Sequence, residues 1–290
     1  MEKGKLSNLK KLKKAITGTV LAVVSVMAFT ACSGADGNNN KTSGQDTKTI
    51  RVGVCAGPYG DMFEEAVKPS LEEKGYTVKI VEFSDYVQPN TALANDEIDV
   101  NVFQHSTYLK NFSSQHNLDL TYISEIPTAG MAVFSDKFKS IDEIAQGSTI
   151  TIPNDDTNLS RALRVLAQTG IITLKSDIDA SKATVNDIAD NPKNLTFTEV
   201  SAEVMTSVLD STGAAVINGN YAISGSLKLS EALYNEKIGE GYFNVIAVRT
   251  ADENSQFAQD IKEIVKSDAF KKVIEDKDKQ YASFSRPSGY

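Results

Sequence analysis

TIRVGVCAGPYGDMFEEAVKPSLEEKGYTVKIVEF, residues 49–83, decides the fold class. Ile50-Arg51-Val52-Gly53-Val54 is short and β-branched, the composition of a buried strand. Met62, Phe63, Ala66, Val67 and Leu71 then fall on one stripe at helical spacing, which predicts a helix over 61–74. Gly75 follows where helices often end in a left-handed residue. Residues 77–83 return to a strand pattern, 91–95 form a short predicted helix, 99–103 a third strand, and 108–116 a further helix. A β-α-β-α-β order of this kind predicts an α/β layer with a largely parallel sheet.

A second unit of the same class follows. The pattern predicts a helix over 141–145, a strand over 149–152 and a helix over 158–168 that closes at Gly170. Further on, 202–209 reads as helical, 214–217 as a strand, the region 229–236 as a helix and 243–248 as a strand. Phe257, Ile261, Ile264 and Val265 mark a C-terminal helix. No internal repeat is visible. Two α/β units of this size predict two lobes with a cleft between them, the usual seat of a small ligand.

The chain opens quite differently. Lys3, Lys5, Lys10, Lys11, Lys13 and Lys14 precede an apolar run over 15–31, and the sequence after Cys32, SGADGNNNKTSGQDTK, is polar and Gly/Asn/Ser-rich. This is the layout of a secretory signal. Its end, Phe29-Thr30-Ala31-Cys32, resembles a bacterial lipobox, which implies a signal peptide over 1–31 and a mature chain anchored in a membrane by acyl chains on Cys32. The apolar run contains Thr17, Gly18, Thr19 and Ser25, and is short and polar for a membrane span. Residues 32–48 read as a flexible tether, whose sixteen residues beyond the cysteine have an end-to-end distance of roughly 22 Å.

Of 30 basic and 38 acidic residues, the signal holds six lysines and one glutamate; the remainder has 24 basic and 37 acidic residues, a net charge of −13. That sign argues against nucleic acid and anionic lipid as partners, since both demand basic surfaces. With Cys32 acylated, only Cys55 remains, so neither an intramolecular disulfide nor a multi-cysteine metal site is available.

Most enzyme signatures are absent: there is no Walker A loop, H-E-x-x-H, G-x-S-x-G or C-x-x-C. His105 and His116, the two histidines, are eleven residues apart, which is no metal-ligand spacing. One enzymatic reading remains, a Cys55/His105 nucleophile pair at the ends of two predicted strands; the plainer reading of Cys55 is a small buried hydrophobe. Three clusters carry more chemistry: residues 83–90 (FSDYVQPN), 101–108 (NVFQHSTY) and 152–161 (IPNDDTNLSR). Each lies beyond the carboxyl end of a predicted strand, where open α/β sheets hold ligands. Asn158 and Arg161 share one face of a first helical turn. A guanidinium there, beside the positive end of the helix dipole, suits a carboxylate; the alternative is a solvated Arg161 paired with Asp155 or Asp156. Tyr86, Phe103 and Tyr108, with His105, form a candidate wall for an apolar ligand side chain, although each is also a candidate core residue.

Together with Asp190-Asn191-Pro192-Lys193-Asn194-Leu195 and the stretch AVINGNYA at 215–222, these clusters resemble the NlpA/MetQ family of substrate-binding lipoproteins, from about Ile50 to the C-terminus. The resemblance implies a two-lobed, periplasmic-binding-protein-like (type II) α/β fold without catalysis or cofactor. It implies lobe one over 49–128 plus 244–290 and lobe two over 129–243. In the ligand site it implies Arg161 on a carboxylate with Asn158 beside it, Asn218 on an α-amino group with Asn220 as a rival, and Tyr86, Phe103, His105 and Tyr108 around the side chain. The implied ligand is L-methionine, delivered to the permease and ATPase of an ABC importer. D-methionine, a methionine-containing dipeptide and an adhesin-type role on the same scaffold are the alternatives.

Overall fold

The computed structural model describes residues 48–290, Ala180 excepted, so the segments assigned above to signal, Cys32 and tether lie outside the described residues. The chain runs β1 (Lys48–Cys55), α1 (Pro58–Ala66), α2 (Lys68–Glu73), β2 (Tyr76–Phe83), α3 (Gln88–Ala94), β3 (Val100–Asn101), α4 (Ser106–His116) and β4 (Leu120–Glu125). It continues through β5 (Ala132–Phe134), β6 (Thr149–Pro153), α5 (Asp156–Thr169), β7 (Thr173–Leu174), β8 (Ile188–Asp190), β9 (Thr196–Val200), β10 (Ala214–Ile217), α6 (Gly219–Ser224) and β11 (Tyr234–Asn235). β12 (Val245–Arg249), α7 (Gln256–Val265) and α8 (Asp268–Ile274) complete it.

Two five-stranded sheets result, ordered β2-β1-β3-β12-β4 and β11-β5-β10-β6-β9. Read from opposite ends they have one plan. Three parallel strands lie side by side, an antiparallel strand stands fourth and a further strand fifth. The antiparallel strand is β12 in the first sheet and β5 in the second, each the first strand formed after the chain has crossed from the other sheet. A crossing chain enters from the edge where the parallel strands end, so it has to run back against them.

The cores follow from side-chain alternation. On β12, Ile246 and Val248 face a cluster with Val52, Phe63, Leu71, Ile261 and Phe270, while Val245 and Ala247 face Leu93, Ile98 and Leu109 on the opposite side. In the second sheet Ile150, Ile152 and Val216 pack beneath Leu163, Val165 and Leu166 of α5, and Phe134, Ile217 and Ala215 pack on Met205 and Leu209. Each fully buried Leu, Ile or Phe contributes about 1.5–3 kcal/mol.

Several local expectations are corrected. The helix predicted over 61–74 is two, α1 and α2, because Pro69 has no N–H to donate and its ring excludes the preceding turn; the chain restarts with Pro69 in the first turn of α2. Residues 141–145 form hydrogen-bonded turns, not a helix. The region 229–236 contains a single 3₁₀ turn, Leu229–Glu231, and then β11. The sequence pattern missed β4 and β9, which carry mixed polar and apolar residues because both lie at the edge of their sheets, and also β5, β7, β8 and β11, which are only two or three residues long and too short to show a period.

Two segments carry the chain between the sheets, 126–131 and 236–244, and they run side by side. Ile126 N–H donates to the Asn244 carbonyl at 2.8 Å, and Asn244 N–H donates to Thr128 Oγ1 at 2.8 Å. At the far end Glu236 N–H donates to the Met131 carbonyl at 2.9 Å, and Met131 N–H returns a bond to Glu236 Oε2 at 2.9 Å. The paired crossings bring the carboxyl ends of the parallel strands in both sheets to face one gap.

Candidate functional site

A small cavity occupies that gap. Tyr86, Phe103, His105, Tyr108, Asn158, Arg161 and Asn218 all line it. So do Tyr59, Gln104, Asn220 and Asn244, none of them assigned a ligand contact from the sequence except Asn220, the rival to Asn218.

The first lobe supplies an aromatic wall. Tyr86 follows β2, Phe103 follows β3, and Tyr108 lies in the first turn of α4. Tyr86 stands 5.6 Å from Phe103 and 5.9 Å from Tyr108, ring centre to ring centre, and Tyr108 meets Phe103 edge-on at 6.2 Å. Such tilted and edge-to-face arrangements are the favourable ones for aromatic quadrupoles. Beneath the rings, Asn90, Asn101 and Gln104 form a buried amide network: Gln104 Nε2 donates to Asn90 Oδ1 at 2.6 Å and Asn101 Oδ1 at 2.9 Å, and Asn90 Nδ2 donates to Gln104 Oε1 at 2.8 Å. This network holds the Phe103–Gln104–His105 turn in place.

His105 caps α4: its Nδ1 accepts the Tyr108 N–H at 3.2 Å. The ring proton of the neutral imidazole is therefore on Nε2, which lies 3.5 Å from Asn158 Oδ1. Burial, and then the nearby Arg161 charge, hold the His105 pKa well below the usual histidine value, so the ring is uncharged at neutral pH.

The second lobe supplies polar groups of fixed sense. Asp155 caps α5 by accepting the Asn158 N–H at 2.9 Å, and its two carboxylate oxygens also accept from Asn158 Nδ2 at 3.1 Å. A carboxylate only accepts, so Asn158 has to turn its amide nitrogen to Asp155 and its oxygen away. That oxygen receives Asn218 Nδ2 at 2.9 Å. Asn218 must in turn direct its own Oδ1 elsewhere, and this atom is buried with no hydrogen-bond partner. The relay leaves an orphaned acceptor on a cavity-lining residue, a site for a donor such as an ammonium group.

Arg161, one turn into α5, is buried rather than solvated, and its partner is neither Asp155 nor Asp156. Nε donates to Glu236 Oε1 at 2.9 Å and Nη2 to Glu236 Oε2 at 2.6 Å, with side chains only 4% and 2% exposed. Burial opposes the guanidinium charge, but the Glu236 carboxylate more than offsets this, and the Arg161 pKa is raised. Glu236 engages the Nε/Nη2 edge; the Nη1/Nη2 end of the fork remains for a second carboxylate. Nothing in the sequence pattern singled out Glu236, which lies 75 residues away at the start of a crossing.

The lobes also touch each other around the cavity. Tyr86 Oη donates to Asn220 Oδ1 at 2.6 Å, Asn220 Nδ2 to the Ala56 carbonyl at 2.9 Å, and Asn111 Nδ2 to Thr157 Oγ1 at 3.1 Å. Asn220 thus joins the lobes, leaving Asn218 as the residue with a free acceptor. Cys55 and His105 form no pair: Cys55 is buried, its thiol donates to the Asp85 carbonyl at 3.2 Å, and burial pushes its pKa up, the reverse of what a nucleophile needs. Among the described residues no cluster of His, Cys, Asp and Glu is placed to hold a metal ion, and no helix is long and apolar enough to cross a membrane.

Fold and site together define a two-lobed binding protein of the periplasmic-binding-protein type, with a cavity between its sheets. The family model for the NlpA lipoproteins matches residues 50–285, and the chain belongs to that family. It is 35% identical to the methionine-binding lipoprotein MetQ of Bacillus subtilis, over 92% of this chain and 96% of that one. It is 33% identical to the probable D-methionine-binding lipoprotein MetQ of Vibrio cholerae, over 88% and 92% respectively. Among solved structures, a nutrient-binding protein from Burkholderia cenocepacia bound to methionine superposes with a TM-score of 0.75 at 36% identity, covering 81% of this chain and 97% of its own.

Proposed function

We propose that the cavity captures one free amino acid, methionine, and that the protein is the lipid-anchored receptor that delivers it to an ABC importer. The observation that carries this reading is the juxtaposition of three groups on one cavity wall system. Arg161 presents a free guanidinium edge, Asn218 an orphaned acceptor, and Tyr86, Phe103 and Tyr108 a set of rings. Arg161 and Asn158 take the carboxylate end, Asn218 Oδ1 takes the ammonium, and the aromatic wall takes the thioether, whose sulfur interacts favourably with ring edges. The named ligands of the relatives from Bacillus subtilis and Burkholderia cenocepacia support the same choice.

The chemistry is binding, not turnover. Among the described residues no activated nucleophile lines the cavity, and closure of the lobes excludes water so that the charge-assisted bonds strengthen. A ligand of about nine heavy atoms has a ceiling near −13 kcal/mol, so nanomolar affinity is physically accessible. Cys32 carries the anchor, the polar segment after it gives the body reach, and the permease and ATPase of the importer are the partners.

Calorimetric titration of protein refolded from denaturant, which strips carried-over ligand, tests this against L-methionine, D-methionine, other amino acids and methionine-containing dipeptides. Tight, stoichiometric binding of L-methionine is expected. A dipeptide bound more tightly than any free amino acid would replace this ligand assignment, and no binding across the panel would remove the receptor reading. The D-isomer belongs in the panel because the Vibrio cholerae relative is named for it. Cys32→Ala should release the protein from membranes; a variant that stays membrane-bound would refute the anchor.

A further inference from the structure

Glu236 lines no part of the cavity, yet it is the partner of the one charged side chain that does. It approaches Arg161 by the Nε/Nη2 edge, from the side of the paired crossings, where Met131 N–H also holds its Oε2. The remaining lining residues are tyrosines, a phenylalanine, amides, small residues and the neutral His105. Just outside the lining, the Asp155 carboxylate behind Asn158 and the Arg164 guanidinium over the Tyr242 ring add one charge of each sign, which offset one another. The site therefore offers a guanidinium edge to a carboxylate without offering a surplus of positive charge.

We propose that Glu236 sets the net charge that the cavity admits: by neutralising Arg161 from behind, it restricts the ligand to a carboxylate that carries its own ammonium. The inference rests on the amino-acid reading above and deepens it, assigning selection of zwitterions over simple carboxylates to a residue that touches no ligand. The physical ground is the cost of sealing an unbalanced charge in a dry space. A carboxylate entering alone would join an already compensated ion pair and bury one uncompensated negative charge. A zwitterion adds none, and its ammonium finds the acceptor that Asn218 holds ready. Without Glu236 the same guanidinium would be an open cation, and a plain anion would become a good ligand.

The experiment compares methionine with 4-(methylthio)butanoate, the same molecule lacking its amino group, by titration of purified, ligand-stripped wild type, Glu236→Gln and Glu236→Asp. Using the ratio of the two affinities within one protein cancels any general loss of fold or closure. The ratio in favour of methionine should fall by at least about tenfold in Glu236→Gln and stay near wild type in Glu236→Asp, which keeps the charge. Equal ratios in all three proteins would overturn the proposal while leaving the methionine reading intact; a wild type that binds no amino acid would overturn both. If Glu236→Gln does not fold, wild type alone decides, titrated with the butanoate in two buffers of different ionisation enthalpy. Rejection, or binding accompanied by proton uptake, supports the proposal. Binding as the bare anion within tenfold of methionine overturns it.

Discussion

The two sheets share one strand plan, but what stands at their cavity edges differs in kind. The first lobe presents rings over a closed network of amides, in which every member of the Asn90, Asn101 and Gln104 set has partners. The second presents, on two cavity-lining residues, a charge bonded to Glu236 along one edge and an acceptor without a partner. A satisfied polar network rigidifies, whereas an orphaned acceptor costs about 1–3 kcal/mol until a partner arrives. On the proposed binding mode the contrast is a division of labour: one lobe is shaped before the ligand comes, and the other is completed by it. The strand plan is a property of chain crossing; the division lies in the loops at the strand ends.

Arg161→Ala attacks the unfinished wall most directly. It should abolish methionine binding, and it should also cost about 3–5 kcal/mol of stability, because Glu236 would be left buried without its cation. Combined ligand titration and urea denaturation check both; a variant of unchanged stability would mean that Glu236 finds water or another donor. This revises the simpler expectation from sequence, in which Arg161 served the ligand alone.

Phe103→Ala tests the finished wall. Methionine should lose roughly 10- to 100-fold more affinity than alanine does, since only the longer side chain reaches the ring. Equal losses for both ligands would place Phe103 in the framework and not in the ligand contact. A general loss of stability should accompany the change, as Phe103 is buried among Cys55, Tyr108 and Phe112.

Gly57→Ala probes the meeting of the two walls. Gly57 has φ +123°, a region nearly reserved for glycine, and a Cβ there would lie 2.7 Å from Asn220 of the other lobe. The cost is roughly 1–3 kcal/mol and should appear partly as a binding affinity lowered by about tenfold, with the free protein more open in small-angle scattering. Undiminished affinity would show that closure does not require this close approach.

The smallest effect concerns pH. His105 is held neutral in the folded protein, with its pKa well below 6.5, so below about pH 6.5 the unfolded chain binds the extra proton first. Stability should therefore fall as pH drops below that point, by at most about 1.4 kcal/mol per pH unit. His105→Asn, which keeps a capping side chain, should flatten this part of the profile; an unchanged slope would assign it to other groups.

Much of this arrangement was legible in the chain. The three clusters at 83–90, 101–108 and 152–161 sit at predicted strand ends, and the fold brings all three to one cavity. The caps of α4 and α5, His105 and Asp155, bond within three residues, which is why local pattern locates those helices so well. The edge strands β4 and β9 escaped because an edge position relaxes the apolar alternation on which strand recognition depends, and β5, β7, β8 and β11 because two or three residues are too few to show it. Glu236 escaped for another reason: its meaning lies in a contact with Arg161 across 75 residues.

The sequence by itself determined the α/β class, the strand-end positions of the polar and aromatic clusters, and the family, because propensity, side-chain period and capping act over a few residues. Only the tertiary structure decided that Arg161 is shared with Glu236, that Asn218 and not Asn220 keeps a free acceptor, and that Cys55 is inert. Those outcomes depend on burial and on which distant groups are brought within hydrogen-bonding distance. They are fixed when two crossings fold the carboxyl ends of both sheets against one gap, and not before.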